Sequence, residues 1–402
     1  MSLYQKASLV QIPSGYKASA DKLYSVVPSN GDGDFTVDSS PLATRVNKDG
    51  LIESVVADQA RLNYDFTNPQ DPHLLLEPAR TNRVFPNNSL TGYSTIGVTT
   101  SNNQTTAPNG ANEGAKVQAT TSGTAVVFKG FTGTSGVTHN ISAFVKAGTH
   151  NQVRLQEGFS SSRIDVNLST GTEVSSQNAT NKKIEAYPND WYRISFNFTS
   201  SSANLQFALY FNGSYTSGEN VYLYGGQIEE GTYATSLIPT SGGILTRTED
   251  NIYGAGDANL FNDTEGTLFV DVEPFTYEAV ARITLSDSST SDRIVIGTAN
   301  STQFRLLVIQ GGAAPFRMDT FRNITYNTRN KIAITYKQNE YKLAINGTVV
   351  LTTTNTGLTP QGLNQLRFSD GDSGFKFRGK VFQTMVFNEA LSNTELQELT
   401  SL

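Results

Sequence analysis

Apolar and polar residues alternate one for one over several long stretches of this chain, and a period of two admits extended strands and little else. Tyr192, Ile194, Phe196 and Phe198 fall on one side of such a stretch, with Arg193, Ser195 and Asn197 on the other. Leu205, Phe207, Leu209 and Phe211 form one side of the next, backed by Gln206, Ala208 and Tyr210. Ile164, Val166 and Leu168 alternate with Arg163, Asp165 and Asn167, and Val153 and Leu155 with Arg154 and Gln156. One apolar face per strand is what sheets packed face to face require. Asn212-Gly213, Ser217-Gly218 and Asn109-Gly110 supply turns between strand-like runs.

Composition supports strands over long helices. Only 16% of the 402 residues are charged, and Ser, Thr, Asn and Gly take their place. Aromatic residues at 10% are enough to build β-cores, which excludes global disorder. A formal charge of −6 with no basic run excludes a nucleic-acid footprint. The absence of cysteine excludes disulfides and thiolate metal sites. Met1-Ser2-Leu3-Tyr4-Gln5-Lys6 does not begin a signal peptide, and no apolar run is long enough to span a bilayer as a helix, so no membrane insertion is expected.

The expected fold class is all-β: a small β-rich N-terminal region, two antiparallel jelly-roll β-sandwiches and one short C-terminal helix. Residues 1–73 read as a separate region with few bulky side chains, marginal alone. Ile12-Pro13-Ser14-Gly15-Tyr16 and Gly31-Asp32-Gly33-Asp34 have turn chemistry, and Asp49-Gly50 turns a hairpin between Ala43 and Val55. Asn68 to Pro72 read as a linker. Residues 74–240 form the first sandwich, 241–258 a second linker and 259–402 the second sandwich. Ser392 and Glu395 are spaced as a capping box, with Leu396 and Leu399 on one helical face.

Two segments carry a resemblance. Leu74-Leu75-Leu76-Glu77-Pro78-Ala79-Arg80-Thr81-Asn82 opens the first sandwich, and Tyr222 to Thr240, through Tyr224-Gly225-Gly226-Gln227-Ile228-Glu229-Glu230-Gly231, closes it. Together they resemble a carbohydrate-binding-module-like jelly roll of bacteriophage tail, fibre and other virion-surface proteins. The ending Val386-Phe387-Asn388-Glu389-Ala390-Leu391-Ser392, followed by a short helix, resembles the concanavalin A-like, laminin-G-like jelly roll. The resemblance implies a phage virion surface assembled in bacterial cytoplasm, a host surface glycan as partner, other virion proteins met through the N-terminal region, and a homotrimer.

The residues offer chemistry of several kinds. Sugar sites use aromatic faces flanked by amides and guanidiniums. Arg154, Gln156, Arg193, Gln206, Tyr210, Tyr222 and Tyr224 supply these groups on polar strand faces, and they equally suit the solvated side of a sandwich. Trp191 fits an exposed position or a packed rim. Glu77 and Arg80 suit a structural ion pair or a clamp at a domain junction. Asp370 and Asp372, in an Asp-Gly-Asp-Ser-Gly turn, offer oxygen ligands to calcium; no other cofactor is expected. Asp271 and Glu273 have the alternate spacing of a glycosidase pair, but Pro274 cuts their strand short. His73, His139 and His150 read as solvated loop residues, and no catalytic triad is expected. The leading expectation is a non-catalytic phage appendage that binds host carbohydrate through multivalent weak sites. A purely structural virion component and a glycan-degrading enzyme are the alternatives.

Overall fold

The computed structural model describes residues 2–12, 18–19, 22–65, 71–311, 316–354 and 359–402. Pro13 to Tyr16 of the first predicted turn and Asn68 to Gln70 of the first predicted linker lie outside the described residues. Among the described residues strands make up 51% and helix 3%, and the ladders of both sandwiches are antiparallel. The all-β expectation is met.

Two six-stranded sheets make the central sandwich. The first is ordered Ser94–Ile96, Val126–Thr132, Asn204–Phe211, Gln152–Glu157, Ser162–Asn167, Thr172–Gln177. The second is ordered Val98–Thr105, Gly114–Ala119, Asn220–Glu230, Thr138–Ala147, Trp191–Thr199, Thr180–Tyr187. The alternation places Leu155, Ile164, Phe196, Phe207 and Leu209 in one core between them. Each such side chain, fully buried, contributes roughly 1.5–3 kcal/mol.

The other sandwich is assembled from both ends of the chain. One sheet runs Thr348–Thr353, Glu340–Ile345, Asn330–Lys337, Glu265–Pro274, Gly379–Phe387, His73–Leu76, Leu62–Asn63, and Ala7–Gln11 also pairs with Gly379–Phe387. The second runs Phe316–Asn323, Gln303–Gln310, Arg293–Asn300, Arg282–Ser286, Gln365–Arg367. A small sheet pairs Phe35–Asp38 with Asn251–Tyr253, and Phe35 stacks on Phe368 with ring centres 5.1 Å apart. Leu9, Leu23, Phe35 and Leu74 share one core with Leu268, Ile294 and Ile334. Residues 1–73 are therefore not a region apart. The boundaries drawn at 73 and 259 divide strands of a single sheet, and the central sandwich is an insertion into the outer one. Residues 241–258 hold the short strands Leu245–Arg247 and Asn251–Tyr253, with Arg247 and Asp250 buried.

The opening and closing motifs meet at the neck between the sandwiches, where Arg80–Asn82 pairs with Leu245–Arg247. Glu77 is buried there and accepts from Arg61 Nη1 at 2.6 Å and Ser236 Oγ at 2.7 Å, with Arg247 Nη1 at 2.8 Å. Arg61 also pairs with Asp250. Burial alone would raise the Glu77 carboxyl; the Arg247 and Arg61 guanidiniums and the Ser236 hydroxyl outweigh it and hold the pKa at about 2. Glu77 is thus a junction clamp, but its partners are Arg61 and Arg247. Arg80 pairs with Glu278 instead. Gly231 has φ +150°, and a Cβ there would lie 2.5 Å from Arg80 Nη2, so the closing motif needs glycine at that point. Asn82, fully buried, donates to the Ile238 carbonyl at 3.0 Å and accepts from Val84 N.

The predicted hairpin forms as Thr44–Val46 and Ile52–Ser54. It leans the other way, onto the central sandwich, where Ile52 packs with Phe144, Trp191, Tyr224 and Leu237. Trp191 is buried there and donates from its indole to the Thr106 carbonyl at 2.9 Å. The C-terminal helix spans Asn393–Thr400 with both bonds of the Ser392–Glu395 capping box in place. His73, His139 and His150 are all buried, which corrects their reading as solvated. Each stacks on or tilts against a phenylalanine ring, a packing that Ser/Thr-rich flanks do not signal.

Candidate functional site

The first sheet of the central sandwich turns its second face to solvent, and the register builds that face in two rows. One row crosses the sheet as Ile96, Val126, Tyr210, Arg154, Asp165, Ser175. The next crosses as Ser94, Phe128, Ala208, Gln156, Arg163, Gln177. Gln206 lies on the same face two residues from Ala208, opposite Gly130. One half of the face is thus apolar and aromatic; the other half is a field of hydrogen-bonding groups.

Arg154 is fixed within this field. Its Nε donates to Asp165 Oδ1 at 2.7 Å and its Nη2 to Asp165 Oδ2 at 3.1 Å, the two-pronged geometry that suits a guanidinium. Ser175 Oγ donates to the same carboxylate at 2.6 Å. Burial pushes the Asp165 carboxyl up, but the Arg154 and Ser175 hydrogen bonds prevail and leave it below the usual carboxylate range. Arg154 itself is raised, first by that hydrogen bond. Its side chain remains 25% exposed beside half-buried Tyr210. Next to it, Glu157 is buried and accepts from Phe159 N, Ser160 N and Gln206 N, which fixes the hairpin that carries exposed Phe159.

Four of the seven expected sugar-site residues, Arg154, Gln156, Gln206 and Tyr210, come together here. Arg193, Tyr222 and Tyr224 do not. They lie on the outer face of the second sheet, which packs against the hairpin and neck. Arg193 is buried and donates from Nη2 to the Thr235 carbonyl at 2.6 Å and Ser142 Oγ at 3.2 Å. Tyr224 is buried in the Trp191 cluster, and Tyr222 packs against that cluster. Alternation assigns a face within a strand but not the sheet that the strand joins. Phe128 and Ser175 escaped the sequence reading. The run Ala125-Val126-Val127-Phe128 masks its own alternation, and Ser175 sits in a polar strand with no apolar face to orient it.

A second concavity, of about 170 Å³, lies between the sandwiches. Arg193 and Tyr187 meet Arg45 of the hairpin and Glu273 and Lys380 of the outer sheet there. Its charge is mixed, with Lys380 on Glu273 at 3.0 Å.

One expectation is corrected in the outer sandwich. Asp370 and Asp372 do not form a calcium site. Asp370 is buried between Arg282 and Arg293, one carboxylate oxygen to each, and two guanidiniums repel a divalent cation. Asp372 Oδ1 accepts from Gly374 N at 3.1 Å. Among the described residues no group of three or more acidic or histidine side chains could hold a metal ion. Asp271 is buried in a two-pronged pair with Arg329, both bonds 2.8 Å, and so does not share a cleft with Glu273 as a free carboxylate.

Residues 248–397 match the family described as the Concanavalin A-like lectin/glucanases superfamily. The match falls on the second sandwich, whose ending carries the resemblance to that type of jelly roll. Comparison with curated proteins finds no match. Among solved structures, the chain is similar to the CBM40 of the Ruminococcus gnavus IT-sialidase bound to alpha2,3 sialyllactose, at 15% identity and TM-score 0.32, over 36% of this chain and 86% of that one. It is similar to NanB sialidase from Streptococcus pneumoniae at 15% identity and TM-score 0.31, over 36% and 25%. It is also similar to Domain 4 of AbnA, a GH43 extracellular arabinanase from Geobacillus stearothermophilus in complex with arabinotriose, at 16% identity and TM-score 0.31, over 38% and 73%.

Proposed function

We propose that this chain is a bacteriophage virion-surface protein that binds host-cell carbohydrate through the exposed sheet of its central sandwich. The observation that carries the reading is the divided face: Tyr210 and Phe128 offer flat apolar surface to the C–H side of a sugar ring. Arg154, Gln156, Gln206 and Arg163 offer hydrogen bonds to its hydroxyls. Asp165 holds the Arg154 guanidinium in place before any ligand arrives, which lowers the entropic cost of binding. The match of the outer sandwich to a family described by lectins and glucanases supports a glycan role for the chain as a whole.

An open sheet face gives weak sites, and several copies on one particle raise avidity without new contacts. The protein acts as a trimer, attached to other virion proteins through the outer sandwich, into which the N-terminal residues are woven. It binds without cleaving. Asp271 and Glu273, the pair with glycosidase spacing, are each neutralised by a cation, so neither is free for proton transfer. It is assembled in the host cytoplasm and works on the virion surface.

The test is binding of full-length protein to extracted surface polysaccharide of candidate hosts, with oligomeric state measured by light scattering. Saturable binding is expected, unaffected by a calcium chelator and weakened at least tenfold by Tyr210→Ala or Phe128→Ala with little change in melting temperature. No binding at multivalent concentration, by a folded protein, would turn the assignment to a structural virion component.

A further inference from the structure

The outer face of the strand Arg282–Ser286 carries Arg282, Thr284 and Ser286, while Ile283 and Leu285 enter the core. The register sets Arg293 opposite Ser286 and Arg367 opposite Thr284. Three guanidiniums and two hydroxyls therefore share a patch three strands wide. Thr284 and Ser286 are fully buried and Arg293 is 8% exposed. Thr284 Oγ1, Ser286 Oγ and Arg293 Nε nevertheless have no hydrogen-bond partner among the described residues. Native interiors leave few buried polar atoms orphaned, and three on one patch call for a reason.

The patch is covered by residues 369–376. Asp370 reaches between Arg282 and Arg293 and gives one carboxylate oxygen to each, Arg293 at 2.8 Å. Arg367 fastens the cover from beneath, donating to Ser369 Oγ and the Gly371 carbonyl, both at 2.9 Å. Phe375, half exposed, lies against the Arg282 guanidinium at 4.5 Å. The cover is locally strained. Ser373 has φ 75° and Phe375 φ 50°, a left-handed conformation that a bulky residue rarely adopts. Strain of this kind persists where surrounding contacts impose it: Arg282 N donates to the Phe375 carbonyl at 2.7 Å, and the Asp370 carboxylate ties the other end of the segment to Arg282 and Arg293.

We propose that residues 369–376 cover a binding site for a carboxylate-bearing saccharide, with Asp370 occupying the place of the ligand's carboxylate. The inference draws on the glycan reading above for the class of ligand and places a second site in the other sandwich. A ligand carboxylate that replaces Asp370 restores both guanidinium pairs, so the exchange conserves the strongest interactions. What opening gives up is the pair of Arg367 hydrogen bonds, the Phe375 ring contact and the bond from Arg282 N to the Phe375 carbonyl at 2.7 Å, and it relieves the strain at residues 373 and 375. The ring hydroxyls then satisfy Thr284, Ser286 and Arg293 Nε, which the closed form leaves without partners. A neutral sugar would leave Arg282 and Arg293 unpaired once Asp370 moved out, and a buried unpaired charge is strongly disfavoured. The site therefore selects acid over neutral sugar.

Calorimetric titration of the full chain with oligosaccharides of glucuronate and galacturonate, beside their methyl esters, tests this. The acids bind and the esters do not. Asp370→Asn keeps the shape of the cover, removes its charge, and binds the acids at least tenfold more tightly. Adding Ser286→Ala to Asp370→Asn weakens that binding at least fivefold. Should Asp370→Asn fail to fold, Phe375→Gly is the second variant: it removes the strained side chain, keeps Asp370, and tightens acid binding about threefold. A folded Asp370→Asn or Phe375→Gly protein that binds neither acid, or binds acid and ester alike, overturns the proposal and makes the segment a permanent clasp. Tyr210→Ala separates the two sites. Acid binding that disappears with Tyr210 and survives Ser286→Ala belongs to the central face; that outcome overturns this inference while the central reading stands.

Discussion

The two sandwiches are built from the same short strands and polar turns, yet one is continuous in sequence and the other is interrupted. Every strand of the central sandwich lies between Ser94 and Glu230. In the outer one, Leu9 pairs with Val386 and Leu75 with Lys380, across the whole inserted domain. The neck reconciles the two arrangements. Because Arg80–Asn82 pairs with Leu245–Arg247, the inserted domain presents both its ends side by side. Once folded, it acts on the outer sandwich as a short loop, and the entropy of closing about 160 residues of free chain is largely removed. A continuous sandwich can therefore stand alone, whereas the interrupted one is complete only with both chain ends.

That difference can be broken most directly by cutting the chain. Residues 78–244 alone are expected to unfold cooperatively in denaturant. Residues 259–402 alone lose Leu9, Leu23, Phe35, Leu74 and Leu76 from the core. At roughly 1.5–3 kcal/mol each, their sum rivals the 5–15 kcal/mol that holds a typical domain together. Near-UV circular dichroism should show no fixed tertiary packing in that fragment, and an unfolding midpoint equal to that of the full chain would refute the interrupted architecture. The next largest effect belongs to the neck. Glu77→Ala leaves Arg61 and Arg247 buried with one carboxylate fewer, a change that costs about 3–5 kcal/mol. Thermal unfolding should then separate into two transitions, the outer sandwich melting first. A single transition at the original temperature would mean that the neck is a tether and not a clamp.

The same contrast explains what was legible in the sequence. Central strands such as Trp191–Thr199 and Asn204–Phe211 display their alternation because their partners are nearby and one face is buried. The outer sandwich hid its N-terminal strands because Ala7–Gln11 is too short to show a period and its partner lies at the far end of the chain. Within the candidate site, alternation put Arg154, Gln156, Gln206 and Tyr210 on the outward side of their strands, where the register gathers them on one sheet, but could not tell the exposed outer face of one sheet from the covered outer face of the other. Arg193, Tyr222 and Tyr224 went astray for that reason. Asp370 misled for a similar one: its acid-glycine turn suggests calcium locally, while the arginines that claim it stand 88 and 77 residues earlier.

Acid sharpens the comparison between the sandwiches. Burial keeps His73, on the outer sheet, neutral and lowers its pKa from 6.5 to about 3. The unfolded chain takes up a proton near pH 6.5 and the folded chain does not. The stability involved is therefore fully present above pH 6.5 and is lost progressively as pH falls toward 3. Glu77 follows with the same sign in a lower window, its contribution present above pH 4.5 and lost toward pH 2. A loss of a few kcal/mol between pH 6.5 and 4.5 is expected in the outer sandwich. His73→Leu should flatten the stability profile there, measured by urea unfolding at stepped pH. An unchanged slope in that variant would move the acid sensitivity to other groups, His139 of the central sandwich first among them.

The smallest effect on stability tests the site itself. Asp165→Asn removes the charge that fixes Arg154 while keeping the shape of the side chain. Arg154 is one-quarter exposed, so water can replace the lost bonds, and the cost to stability is about 1 kcal/mol. The effect on sugar binding should be the larger one. Arg154 becomes free to leave the row it shares with Tyr210, and ordering it again at each binding event weakens affinity roughly five- to tenfold, about 1–1.4 kcal/mol. Arg154→Gln removes the donor outright and should weaken binding at least as much. If Asp165→Asn binds host polysaccharide as tightly as the wild type while Arg154→Gln does not, the guanidinium contacts sugar but gains nothing from being held. If neither variant affects binding, the pair serves only to pin the strands Gln152–Glu157 and Ser162–Asn167 together, and the exposed face of the central sandwich has no part in recognition.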